Sequence, residues 1–245
     1  MSYRLASGCS YTDPTYSGED CIPIDWKVWP DHLNIDVNVA RSGISNNVMI
    51  DKVYDEISRR GNPTSIHIML TTWDRFSVYK QNIIPASYLK RPIKGLSDEK
   101  QAKFHRKQLT MEFILNHSTV DDILTDNLRK IYFLALYCIS NKVRLTLAQG
   151  CHLWDYTINV NKHLIKVNEN LFDRRGAYKA LVSNEYFELM DKLVSNNSIS
   201  AVGWPFVEAL GGECYNDVRD PSSHISSTDG HPNADGQKHI AEWMS

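Results

Sequence analysis

The chain has 245 residues, 42% of them apolar, with 27 Lys and Arg set against 29 Asp and Glu. That balance excludes a long disordered chain, and a net charge of −2 argues against bulk nucleic-acid binding. With 12 Gly and 5 Cys the chain is neither collagen-like nor a disulfide scaffold. The longest apolar run, Ile131 to Ile139, is well short of the roughly 20 residues of a membrane-spanning helix. The start, Met1-Ser2-Tyr3-Arg4-Leu5, lacks the apolar stretch of a secretory signal, so a cytoplasmic protein with reduced thiols is expected. Cys9, Cys21, Cys138, Cys151 and Cys214 form no CxxC, which leaves neither a zinc ribbon nor a thioredoxin motif. Cys9 and Cys151 read as small buried residues at strand ends.

Along the chain, short β-rich runs alternate with longer helical patterns. Residues 3–7 read as a first strand ending at Gly8, and residues 34–39 alternate with period two as a second. A helix is expected over 46–60, stopped by Gly61-Asn62-Pro63, then a third strand over 65–70. Two helices over 98–117 and 121–141 precede a fourth strand over 143–148. A helix over 177–195, a short fifth strand over 199–203 and a last helix over 234–244 complete the pattern. Such alternation implies a single α/β domain, a three-layer α/β/α sandwich around a mainly parallel sheet of five strands. Sites in such sheets gather at the carboxyl ends of the strands. The segments there are Gly8-Cys9-Ser10-Tyr11-Thr12, Arg41-Ser42-Gly43-Ile44-Ser45-Asn46, Thr71-Thr72-Trp73-Asp74-Arg75 and Gln149-Gly150-Cys151-His152. None is a Walker loop or a GxGxxG turn, so nucleotide binding loses support.

Ser10 follows the first strand. A turn there can expose its hydroxyl as a nucleophile and leave its N–H free for an oxyanion; the alternative is a serine that caps a turn. Near the other end, Asp229-Gly230-His231-Pro232-Asn233 offers a general base in His231 and an orienting carboxylate in Asp229. Asn233 is placed to cap the last helix. Among the 9 His, His224 is the one rival to His231.

Together these segments resemble the SGNH, or GDSL-type, hydrolase family. Gly8-Cys9-Ser10-Tyr11-Thr12 is similar to its first block, Val37-Asn38-Val39-Ala40-Arg41-Ser42-Gly43 to its second, and Asp229-Gly230-His231 to its last. The resemblance implies a serine esterase or carbohydrate O-deacetylase that works through a covalent acyl-enzyme. Ser10, His231 and Asp229 would be its triad, and the N–H groups of Ser10 and Gly43 its oxyanion hole. It implies a small ester or O-acylated glycan as substrate, with no cofactor and no metal, while charge and apolar-run length leave neither nucleic acid nor membrane as an expected partner. A non-catalytic glycan-binding or structural module on the same fold is the alternative.

The chain departs from the family pattern in two places. The third block has Thr71-Thr72-Trp73-Asp74-Arg75 where the family has G-x-N-D, so an oxyanion donor is sought in Asn46 or Arg75, with Arg75 and Trp73 as substrate contacts. The Asp-to-His gap is two residues instead of three, which leaves Asp217 and Asp220 as substitutes for Asp229. A basic insertion over about 76–108 carries eight Lys and Arg against two acids and reads either as a solvated face or as a lid over the substrate.

Overall fold

A computed structural model describes residues 2–17, 24–73, 75–78, 81–83, 97–99, 101–102, 105, 118–153, 174–226 and 229–245. Five strands form one sheet: β1 (Arg4–Gly8), β2 (Val37–Asn38), β3 (Ser65–Leu70), β6 (Arg144–Gln149) and β7 (Ser200–Val202), in the order β2-β1-β3-β6-β7. Every pairing is parallel, in registers such as Leu5 with Val37 and Ile66, and Ile66 with Leu145. A parallel sheet covered on both faces needs continuously apolar strands, and β3 is buried at every position.

Helices α2 (Asn46–Arg60), α3 (Val120–Ser140), α4 (Arg174–Val182) and α5 (Glu185–Ser195) form one layer, with α2 against β1 and α3 against β6. The short α1 (Trp29–His32) packs on the last helix, α7 (Ala234–Met244), and these two complete the three-layer sandwich. Side chains cap the N-termini of α2, α3 and α7, Asn233 as expected. Ser45 accepts from the Val48 N–H, Thr119 and Asp122 form a reciprocal box, and Asn233 accepts from the Gly236 N–H.

Two expectations change. The second strand is only Val37–Asn38, because Asn34 turns the chain with φ 53° and the Asp36 carboxylate takes the Arg4 N–H that a longer strand would have used. The helix expected over 177–195 is two helices, since Asn184 caps α5 by accepting from the Tyr186 N–H at 3.0 Å. Of the helix expected over 98–117, residues 98–99, 101–102 and 105 are helical, and the rest, with most of the basic insertion, lies outside the described residues. Within that insertion β4 (Phe76–Val78) and β5 (Gln81–Ile83) pair antiparallel.

Because the five sheet strands run the same way, the loops after β1, β2, β3 and β6 leave from one rim. Gly8 shapes the first of them. A Cβ there would sit 2.1 Å from Thr12 Oγ1, so only glycine lets the chain fold back into the turn closed by the Thr12 and Asp13 N–H groups on the Cys9 carbonyl.

Candidate active site

The turn after β1 holds Ser10, and the loop before α7 holds His231. Ser10 Oγ lies 2.9 Å from His231 Nε2, within the 2.6–3.2 Å reach of a nucleophile–base pair. On the far side of the ring, His231 Nδ1 lies 2.5 Å from Asp229 Oδ1. A carboxylate only accepts, so Nδ1 carries the ring proton and the Nε2 lone pair faces the Ser10 hydroxyl. Asp229 is buried, while the His231 side chain is 28% exposed, so the base opens to the rim and its carboxylate does not.

The two-residue gap between Asp229 and His231 closes locally. Asp229 Oδ1 also accepts the His231 backbone N–H at 3.0 Å, an Asx-type turn that brings the carboxylate round to Nδ1. The other carboxylates are engaged elsewhere. Asp220 caps the turn at Ser222, and Asp217 takes the Cys214 N–H and faces His152. His224 is not brought to Ser10; its Nε2 is buried without a partner among the described residues, and burial lowers its pKa.

Tyr16, which the sequence did not single out, completes the setting. Its ring stacks on His231 with centroids 4.1 Å apart, and its hydroxyl donates to Asp229 Oδ2 at 3.2 Å. Tyr11 meets the same imidazole edge-on at 5.3 Å. Arg219 donates to the Gly230 carbonyl and, at 3.2 Å, to the Tyr11 hydroxyl, bracing the segment between Asp229 and His231. Gln237 of α7 donates to the Tyr11 carbonyl at 3.1 Å and accepts the Trp29 N–H at 2.9 Å. The last helix is thereby tied to the Ser10 turn.

The second loop is tied to the first through Asp13. Its Oδ2 accepts the Ser42 N–H at 2.6 Å, and Oδ1 accepts from the Thr15 N–H and hydroxyl. Gly43 then takes φ 75°, a left-handed conformation that favours glycine. Neither the Ser10 nor the Gly43 N–H donates a hydrogen bond among the described residues.

Two of the expected contacts fall elsewhere. Asn46 is buried, with its amide protons directed to the Thr71 carbonyl and to Asn127 Oδ1, both at 3.2 Å, and its oxygen on the Thr71 N–H at 2.8 Å. It clamps α2 to the end of β3 and has no proton left for an oxyanion. Trp73 is 1% exposed and donates to Gln149 Oε1 at 3.0 Å, which makes it part of the core and not a substrate contact. Arg75 differs from both. Its Nε donates to Thr72 Oγ1 at 3.1 Å, while one terminal nitrogen is buried without a partner among the described residues. It pairs with no carboxylate among the described residues. Its charge reaches the buried thiol beside the nucleophile. A hydrogen bond from Cys151, and next the Arg75 guanidinium, hold the Cys9 thiol below its ordinary range despite burial.

No protein-family model and no curated protein matches the chain. Solved structures do resemble it in overall course. TesA matches at 12% identity with a TM-score of 0.42, over 98% of this chain and 94% of that one. Axe2, an acetylxylan esterase from Geobacillus stearothermophilus, matches at 11% identity and 0.43, over 98% and 90%. A protein assigned to the G-D-S-L lipolytic family from Desulfitobacterium hafniense matches at 12% and 0.43, over 98% and 97%. Likeness at this level carries no argument about chemistry, which rests on the side chains themselves.

Proposed function

We propose that this chain is a serine hydrolase of carboxylic esters, with a small ester or an O-acylated glycan as substrate. The observation that carries this reading is the 2.9 Å contact from Ser10 Oγ to His231 Nε2, with the Asp229 carboxylate behind Nδ1. Ser10 Oγ attacks the ester carbonyl carbon as His231 Nε2 takes its proton. Asp229 holds the imidazole in the tautomer that can accept, and its charge stabilises the imidazolium that forms. The tetrahedral oxyanion takes hydrogen bonds from the Ser10 and Gly43 N–H groups, with the unpaired Arg75 nitrogen as the side-chain donor. His231 returns the proton to the leaving alkoxide, and an acyl-Ser10 ester remains. Water, deprotonated by His231, then attacks that ester; the carboxylic acid leaves and Ser10 regains its proton.

A fluorophosphonate serine probe tests this directly. The expected outcome is stoichiometric labelling mapped by peptide mass spectrometry to Ser10, and hydrolysis of p-nitrophenyl acetate that Ser10→Ala lowers by several orders of magnitude. Labelling at another serine, or hydrolysis undiminished in Ser10→Ala, places the chemistry elsewhere. No labelling and no hydrolysis at all would support a non-catalytic module.

A further inference from the structure

Next to Asn216, which accepts from the Tyr11 hydroxyl, a second cluster of chemically active side chains closes on one point. His152 follows β6. Cys214 caps and Asp217 belongs to the short helix α6 (Tyr215–Val218). His152 Nδ1 lies 3.5 Å from Cys214 Sγ and 3.3 Å from Asp217 Oδ1, and the three donor atoms all lie within 4.8 Å of one another. A tetrahedral zinc ion bound at roughly 2.0–2.3 Å sets its nitrogen, sulfur and oxygen ligands roughly 3.3–3.6 Å apart. Both nitrogen-centred separations therefore match the edges of a zinc tetrahedron.

We propose that His152, Cys214 and Asp217 form a zinc site with three protein ligands and a fourth position open to water. The donor set is right for this ion, since imidazole, thiolate and carboxylate are its usual ligands. Charge also balances: one thiolate and one carboxylate offset the two positive charges of the metal. On binding, the Cys214 thiol gives its proton to solvent as sulfur bonds the metal, and no electron is transferred. The two ligand segments are already held in place. Asp217 Oδ2 accepts the Cys214 N–H at 2.8 Å, which aims Oδ1 at His152, and the Asn216 N–H donates to the Gly150 carbonyl at 3.2 Å. Cys214 is fully buried and the His152 side chain 40% exposed, so the ion has both an enclosed anchor and a way in. Asn216 also accepts from the Tyr11 hydroxyl at 3.0 Å, so a bound ion would brace the loop that backs His231. The site departs from the expectation of no metal, because its ligands come from segments about 60 residues apart with no CxxC spacing to announce them.

Protein stripped with a chelator is titrated with Co²⁺, which reports thiolate ligation by charge-transfer absorption in the near ultraviolet, and Zn²⁺ is then used to displace it. The expected result is one equivalent bound, with Zn²⁺ raising Tm by roughly 5 °C or more at hundredfold excess over Kd. Cys214→Ser should abolish the charge-transfer band, and His152→Gln and Asp217→Asn should each weaken Zn²⁺ binding by roughly 100-fold. His152 is exposed enough that its variant folds even if the change at the buried Cys214 does not. No saturable binding by the wild type, or a band and affinity that persist in Cys214→Ser or His152→Gln, overturns the site and leaves a hydrogen-bonded cluster.

Discussion

His231 is held in one pose by contacts on four sides: Ser10 and Asp229 in its plane, Tyr16 over its face and Tyr11 at its edge. Each contact does a separable job, and single substitutions can tell them apart. Tyr16→Phe keeps the stacked ring and deletes the hydroxyl that steadies the Asp229 carboxylate. A hydrogen bond to a charged group contributes about 1.5 kcal/mol, so kcat should fall about tenfold with KM nearly unchanged. Steady-state kinetics on one ester decide this; an unchanged kcat would leave Tyr16 as packing alone. Arg75→Ala removes the guanidinium whose one terminal nitrogen has no partner among the described residues. If that group meets the oxyanion, turnover should fall by roughly 10²–10³-fold while Tm hardly moves. Full activity in Arg75→Ala would mean that the backbone N–H groups of Ser10 and Gly43 act alone.

At the scale of elements, the loops matter because other residues hold them to rigid strands and helices. Asn46 is the clearest case, bonding both the N–H and the carbonyl of Thr71 and the amide of Asn127. Asn46→Ala leaves several buried groups unpaired at about 1 kcal/mol or more each. A loss of about 3 kcal/mol is expected, or a Tm lower by about 6–12 °C in a chain of this length. Thermal melts with activity measured well below Tm test it: a stable variant with no turnover would return Asn46 to the oxyanion hole. Asn46 shows where sequence reading stops. A polar residue at a strand's carboxyl end looks the same whether it faces substrate or a neighbouring loop, and only the partners across α2, β3 and α3 decide. Trp73 is a similar case, since an aromatic beside a rim is read as a contact until Gln149 on the next strand is seen to take its N–H. What the sequence does carry is period and punctuation. The apolar runs of β1, β3 and β6, the stop at Gly61 and the cap Asn233 are local signals, and they place those elements well. Tyr16, Arg219 and Gln237 carry no such signal, because their partners lie in distant parts of the chain.

For the molecule as a whole, the central strand contains a pH-sensitive weakness. His67 of β3 is 8% exposed, with Nε2 3.2 Å from Ser65 Oγ and Nδ1 without a partner among the described residues. The neighbouring charged groups are the Arg4 guanidinium, 3.5 Å from Nε2, and Arg144. Burial first, and then these two cations, depress its pKa from 6.5 to about 4. The folded protein therefore keeps His67 neutral at a pH where the unfolded chain already protonates it. Where the unfolded state binds more protons, stability falls as pH falls. The contribution of His67 is fully present above about pH 6.5 and is lost on acidification towards pH 4. A shift of this size is worth up to about 3 kcal/mol, or a Tm lower by roughly 6–12 °C. His224, whose pKa is lowered mainly by burial, acts in the same direction. Melts at constant ionic strength from pH 7 to pH 4.5 measure the slope, and His67→Gln isolates its source. The variant should lose part of the stability at pH 7, since its amide replaces a neutral imidazole in a tight site, yet show a flatter profile. A wild-type Tm that stays level over this range, or a His67→Gln profile parallel to it, would remove His67 as the origin. The separation from the rim matters for interpretation. His67 lies on the strand body and Ser10 and His231 lie beyond the strand ends, so a substitution at His67 changes stability without touching the groups that carry the chemistry. Comparing the pH dependence of Tm with that of kcat in His67→Gln separates them, because the substitution should alter the first and leave the second in place.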